Sequence, residues 1–161
     1  MFLKKNVGLF EFNLHNKSHL TIETTFVVGN QASPTFDYYF RARKASFPCY
    51  FELSDKEALD NSHPIWHTNN SQLIISRTVS LAFLEKLCSS AFRPDKIIWF
   101  MDDDIPGANT DKTLPRSYRL KLASWYKQAS PLLAKSCDQV WVSTDYLRKK
   151  YKLPKSWVLA P

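Results

Sequence analysis

The chain has 161 residues, of which 44% are hydrophobic and 23% are charged, and its 22 lysines and arginines outnumber its 15 aspartates and glutamates. This length and apolar content exclude a largely disordered chain and predict one compact domain. The formal charge of +7 favours anionic partners, but it does not choose among phosphorylated substrates, anionic lipids and nucleic acids.

The first 70 residues predict two strands separated by one helix. A run rich in β-branched residues is typical of a strand, and Ser33 followed by Pro34 is typical of a helix start. The predicted elements are a strand over residues 20–28, a break at Gly29 and Asn30, a helix over 36–45, a strand over 49–53 and a polar loop over 55–70.

From residue 70 onward, short apolar runs alternate with amphipathic segments. The predicted elements are strands over 72–78, 96–101 and 139–143, helices over 79–92, 114–136 and 146–153, and the beginning of a further strand over 157–160. We expect Pro131 to kink or divide the longest helix, whose apolar positions include Tyr118. The alternation predicts right-handed β-α-β units. The predicted fold class is α/β, a Rossmann-like three-layer sandwich with a mostly parallel sheet, in which residues 1–161 form a single domain.

Three successive acids, Asp102, Asp103 and Asp104, follow directly after the run KIIWFM. Large apolar residues without helical spacing indicate a strand buried on both faces, so the acids must lie where that strand leaves the sheet. Ligands bind at this carboxyl edge in open α/β sheets. The acids have three interpretations: structural caps, a site at which Asp102 and Asp104 hold Mg²⁺ or Mn²⁺ against a nucleotide diphosphate, or a carboxylate that accepts a proton or hydrogen bonds from a sugar hydroxyl.

Four features of residues 71–161 carry a resemblance to a known family. They are the acid-rich turn FMDDDIPG, the following helix with basic residues, the strand DQVWVST with a helix beginning DYL, and the final WVLAP. Together they resemble the N-terminal Rossmann-like domain of GT-B-type glycosyltransferases that build bacterial surface polysaccharides. In that family the first domain carries the acceptor site and the second binds the nucleotide sugar. The resemblance implies an acceptor-side domain whose donor-binding partner domain is absent from this chain.

The resemblance also implies a set of site residues along the carboxyl edge of the sheet. Asp103 and Asp104 would be the catalytic carboxylates, without a metal ion or other cofactor. The implied substrate-binding residues are Gly29, Asn30, Arg77, Asp102, Ser143 and Thr144. The residues themselves leave structural alternatives open, because Arg77 could pair with Asp102 or Asp104. Similarly, Ser143 and Thr144 could cap the next helix.

The implied partners are a nucleotide-sugar donor, held by the missing domain, and a glycan or lipid-linked acceptor. A basic cluster near the C-terminus forms either a solvated helix face or a surface for anionic membrane lipids. Its members are Arg148, Lys149, Lys150, Lys152 and Lys155. No nucleic-acid-binding module is recognisable, so nucleic acid is not an expected partner. Two alternatives remain: a metal-dependent GT-A-like transferase with Asp102 and Asp104 as ligands, and a non-catalytic domain that binds sugar or anionic lipid.

The cysteines and the hydropathy pattern predict the cellular location. Cys49, Cys88 and Cys137 are far apart and odd in number, which is typical of neither a disulfide framework nor a zinc site. The first residues are too polar for a signal peptide, and no run reaches the roughly 20 apolar residues that span a bilayer. We therefore expect a cytoplasmic protein, either free or peripheral at the inner face of the membrane.

Overall fold

A computed structural model describes residues 21–159 in full, together with the backbone of β1 (Lys4–Val7) and β2 (Phe10–Asn13). These two short strands pair antiparallel as a separate ribbon. Leu20, with which the first predicted strand begins, lies outside the described residues, as does Ala160 at the predicted C-terminal strand.

Five parallel strands form the main sheet. They are β3 (Thr24–Val28), β4 (Tyr50–Leu53), β5 (Ser71–Ser76), β6 (Lys96–Met101) and β7 (Gln139–Val142). Their spatial order is β4-β3-β5-β6-β7, and every pairing is parallel. The chain moves outward in one direction from β3 to β4 and in the other from β5 to β7, so the strand order reverses between β3 and β5. This topological switch point is where open α/β sheets bind ligands.

Helices cover both faces of the sheet, which confirms the predicted α/β fold. The α-helices are α1 (Leu81–Ser89), α2 (Arg116–Ser136) and α3 (Asp145–Lys150). A π-helical turn over Phe36–Phe40 continues into a 3-10 helix over Arg41–Ser46, where the sequence predicts one ordinary helix. Shorter 3-10 turns lie at Glu57–Leu59, Pro64–Trp66, Ala108–Thr110 and Lys155–Trp157.

The core is divided by the sheet into two apolar clusters. On one face, Phe36 and Phe40 from the π-helical turn pack against side chains of the central strands, which are Val27, Ile74, Ile98 and Phe100. On the other face, α1 and α2 pack over Trp99 and its neighbours. All six residues of β5 are buried, and its centre, residues 73–75, is apolar at successive positions, as expected for a strand covered on both faces.

Two details of the predicted elements differ from the structure. Pro131 does not divide the longest helix, because α2 continues from Arg116 to Ser136 with the proline inside it, and the alternative of a kink stays a prediction. Trp157 belongs to a 3-10 turn rather than to a strand. Only a single parallel bridge, between Val142 and Val158, joins the described end of the chain to the sheet.

Candidate functional site

The ends of β3 and β5 enclose a cleft at the topological switch point. Its lining residues are Asn30, Ser33, Ser76, Arg77 and Thr78, and its volume is about 260 Å³. We call this the switch-point cleft. Two of the predicted substrate-binding residues, Asn30 and Arg77, are therefore brought together there. The three hydroxyl side chains were not predicted, because only the observed strand order makes β3 and β5 neighbours.

Gly29 determines how closely the two strand ends approach one another. A Cβ atom on Gly29 would lie 2.9 Å from the carbonyl oxygen of Ser76, 3.0 Å from the Ser76 Cβ and 3.3 Å from the Phe36 ring. Real Cβ atoms do not approach backbone oxygens this closely, so a side chain at this position would force the strand ends apart. Gly29 thus has a steric role beneath the cleft.

The backbone of Arg77 adopts the left-handed conformation, with φ of 58°. This conformation is unfavourable for a residue with a side chain and persists only where its surroundings fix it. Two hydrogen bonds fix Arg77: its N–H donates to the Phe100 carbonyl at 2.9 Å, and its own carbonyl accepts from Trp99 Nε1 at 2.7 Å. The chain therefore turns sharply after β5, and the guanidinium group reaches the acids that follow β6.

The guanidinium group of Arg77 contacts two of the three acids. Its Nη2 lies 2.6 Å from Asp103 Oδ2, and its Nε lies 3.3 Å from Asp102 Oδ1. Nη2 also donates to the hydroxyl of Tyr118 at 3.1 Å. Pairing with Asp102 is one of the two expected alternatives, whereas Asp104 has other partners. Tyr118 is a further member of the site, although its spacing among the apolar positions of α2 predicts only a place in the core.

Asp102 joins three elements of the fold. Besides its ion pair with Arg77, it accepts a hydrogen bond of 2.5 Å from the Thr35 hydroxyl. Its side chain is only 12% exposed. A carboxylate so enclosed and already paired is poorly placed to exchange partners with a ligand, so its contacts favour a structural role over the predicted substrate-binding one.

Asp103 is the open carboxylate of the triplet. Its side chain is 57% exposed, and its ion pair is with Arg77. Partial burial raises the pKa of the Asp103 carboxyl, the positive charge of Arg77 opposes this shift, and the neighbouring Asp102 adds to it. Asp103 can therefore accept hydrogen bonds or a proton from a ligand while Arg77 holds it in place.

Asp104 faces α3 and contacts Lys150 and Tyr151. Both the Lys150 ammonium group and the Tyr151 hydroxyl donate to its carboxylate, and the backbone N–H of Gly107 donates to Oδ1 at 3.1 Å. The hydrogen bond to Asp104 raises the pKa of Lys150. The catalytic role expected for Asp104 stays a prediction, and its contacts favour the attachment of the loop after β6 to α3.

Ser143 and Thr144 use their hydroxyl groups within the protein. The Ser143 hydroxyl donates to the backbone carbonyl of Asp102 at 2.9 Å. The Thr144 hydroxyl accepts a hydrogen bond of 3.2 Å from the backbone N–H of Leu147, as the N-cap of α3. The structural alternative, in which Thr144 caps the helix, is confirmed.

Replacing Thr144 by alanine tests this assignment. We expect Thr144→Ala to lower the free energy of unfolding by about 1 kcal/mol, because one N–H in the first turn of α3 loses its partner. Urea denaturation followed by circular dichroism measures the change. Ligand binding at the switch-point cleft should be unchanged. Weaker binding with unaltered stability would instead restore Thr144 as a substrate-binding residue.

The positions of Asp102 and Asp104 bear on the metal-binding alternative. The two carboxylates have different partners, Arg77 and Thr35 for Asp102 and α3 side chains for Asp104. Within residues 21–159, no three His, Cys, Asp or Glu side chains come close enough together to share a metal ion. The donor set therefore gives the metal site little support.

The fold and the cleft define an α/β domain with a parallel sheet and a polar site at its topological switch point. Comparisons with protein-family models, with curated proteins and with solved structures gave no match. Among the described helices, none is long and apolar enough to cross a membrane.

Proposed function

We propose that this domain is the acceptor side of a glycosyltransferase and that the switch-point cleft holds the sugar whose hydroxyl is modified. The observation that supports the proposal is the Asp103–Arg77 pair, in which an open carboxylate lies 2.6 Å from the guanidinium group of a residue that lines the cleft of about 260 Å³. General bases are carboxylates or imidazoles positioned within hydrogen-bond reach of the proton that they remove.

In this proposal, Asp103 accepts the proton of the acceptor hydroxyl while the hydroxyl oxygen bonds to the anomeric carbon of the donor sugar. The bond between that carbon and the nucleotide diphosphate breaks, and the diphosphate leaves with the electron pair. The upward shift of the Asp103 pKa strengthens it as a base. Arg77 orients the carboxylate and does not itself touch the reacting atoms.

The size of the cleft supports the binding of acceptor and donor by two different domains. Pockets that enclose a whole drug-sized ligand measure roughly 300–1,000 Å³. At about 260 Å³, the switch-point cleft matches the size of one sugar ring more closely than that of a complete nucleotide sugar. The donor would then be bound by a second domain, and the acceptor would be a glycan or a lipid-linked sugar.

A lipid-linked acceptor would place the domain in the cytoplasm at the inner face of the membrane. The basic cluster gives limited support, because Arg148 and Lys149 pair with Asp145, and Lys150 pairs with Asp104. Lys152 and Lys155 are the members of this cluster without an ion pair in the described part of the chain. The acceptor-side proposal does not depend on membrane contact.

Calorimetric titration of the purified chain with nucleotide sugars, with and without Mn²⁺, tests the proposal. We expect no donor binding under either condition. Methyl glycosides, followed by amide NMR, should shift the signals of Ser76 and Arg77, and Asp103→Ala should remove these shifts. Asp60→Asn is the matched control, since Asp60 lines a different cleft beside His63.

Two results would contradict the proposal. Mn²⁺-dependent donor binding that disappears in both Asp102→Asn and Asp104→Asn would favour the metal-dependent transferase. Glycoside shifts confined to residues away from the switch-point cleft would show that the acceptor site has been placed wrongly.

A further inference from the structure

We infer that the switch-point cleft selects an uncharged, hydroxyl-rich ring and discriminates against phosphorylated or carboxylated forms of the same ring. This inference rests on the proposed function, since it names the class of acceptor that the site takes. Three features of the cleft support it: the charges around it, the hydrogen-bonding groups left free there, and the enclosed position of Ser76.

The charges at the cleft disfavour an anion. Arg77 is the cation of the site, and both Asp102 and Asp103 are paired with it, at 3.3 and 2.6 Å. Together these three side chains carry one net negative charge. The next acid along the chain, Asp104, is offset by its own pair with Lys150. A phosphate or carboxylate in the cleft would meet an arginine that is already neutralised and would lie beside the exposed Asp103.

The free hydrogen-bonding groups match hydroxyls better than oxyanions. The hydroxyls of Ser33, Ser76 and Thr78 line the cleft and make no hydrogen bond within the described residues. Asn30 uses its Oδ1 to accept from the Ala32 N–H at 3.2 Å, so its amide NH₂ remains available to donate. Together with the acceptor Asp103, this set both donates and accepts. Sugar hydroxyls do both, whereas a phosphate dianion only accepts.

Ser76 is the strongest sign that a ligand completes this set. The residue is only 2% exposed, and its side chain lines the cleft without a protein partner among residues 21–159. The Ser76 hydroxyl is not among the fully buried polar atoms that lack a partner, so it stays open to the cleft although the rest of the residue is enclosed. A ligand hydroxyl in the cleft could therefore replace water as its hydrogen-bond partner.

Tyr118 adds an aromatic group at the edge of this site. Its hydroxyl accepts from Arg77 at 3.1 Å, and the side chain is 37% exposed. A tyrosine held in this way offers an apolar ring face beside polar groups, which suits a sugar ring with one C–H face and several hydroxyls.

The experiment compares three probes by amide NMR titration: methyl glucoside, methyl glucuronide and glucose 6-phosphate. We expect the uncharged glucoside to bind at the cleft about fivefold or more tightly than either anion at low salt. Its affinity should not change with ionic strength. Asp103→Asn removes one negative charge and should bring the anions to within about twofold of the glucoside.

Two serines at opposite ends of β5 provide a matched pair. Ser76→Ala should weaken glucoside binding several-fold without loss of protein stability, because the hydroxyl has no protein partner to lose. Ser71→Ala is the control: the Ser71 hydroxyl donates to the Thr68 carbonyl at 2.7 Å, so its loss should lower stability and leave binding unchanged.

The experiment distinguishes failure of this inference from failure of the proposed function. Anions that bind as tightly as the glucoside, or more tightly, would overturn the inference on charge while leaving an acceptor site at the cleft. Cleft signals that none of the three probes perturbs would count against the inference and the proposed function together.

Discussion

Asp102→Ala should lower the free energy of unfolding by about 2–3 kcal/mol, the largest loss that we expect among the three acids. The Asp102 side chain is 12% exposed and that of Arg77 is 25% exposed, so their ion pair is largely shielded from water. Removing the carboxylate leaves the guanidinium with one partner fewer and leaves the Thr35 hydroxyl without its acceptor. Urea denaturation at neutral pH measures the loss.

Asp103→Ala is the matched control for this prediction. Asp103 is bound to the same guanidinium group, but its side chain is 57% exposed, and exposed ion pairs contribute at most about 1 kcal/mol. We therefore expect a small change in stability and a large loss of glycoside binding. If Asp103→Ala were the more destabilising variant, the assignment of a structural role to Asp102 and a functional role to Asp103 would be reversed.

The sequence predicts the framework of this fold because burial on both faces leaves a clear pattern. Residues 73–75 of β5 and 97–101 of β6 are continuous apolar runs, and a parallel sheet covered by helices is the structure that buries such runs. The same pattern places Asp102 and its neighbours at the carboxyl edge. Ligands bind at this edge in open sheets, so the same pattern also leads to the prediction of a site there.

The different roles of three adjacent acids are not predictable from that pattern. Asp102, Asp103 and Asp104 have the same side-chain chemistry, and their roles differ because residues far along the chain reach them. Thr35 arrives from the first crossover, and Lys150 comes from the last helix. Which of these long-range contacts forms depends on strand order and on the left-handed turn at Arg77, neither of which has a local sequence signal.

The close approach of Gly29 to Ser76 is also not predictable from the sequence. Ser76 looks like the last residue of a buried strand, and nothing near it in sequence indicates a neighbour at Gly29. The register in which β3 lies beside β5 brings them together, with Val28 opposite Ile75. A glycine directly after a strand is common, so only the observed distance to Ser76 shows why this one has no side chain.

Gly29→Ala should therefore lower the free energy of unfolding by about 1–3 kcal/mol and abolish glycoside binding. The new methyl group would lie 2.9 Å from the Ser76 carbonyl oxygen, a backbone atom of a buried central strand that cannot rotate away. The strand ends must separate, which moves Ser76 and Arg77 relative to Asn30. Thermal unfolding and the methyl glucoside titration measure the two effects.

Gly107→Ala is the contrasting variant, because it introduces the same methyl group away from the switch-point cleft, beside Asp104. There the methyl would meet the Asp104 carboxyl group and would disturb the attachment to α3. We expect this variant to lose stability but to keep glycoside binding. Wild-type binding by Gly29→Ala would mean that the strand ends can separate without altering the site, and the close approach at Gly29 would then not be what shapes the cleft.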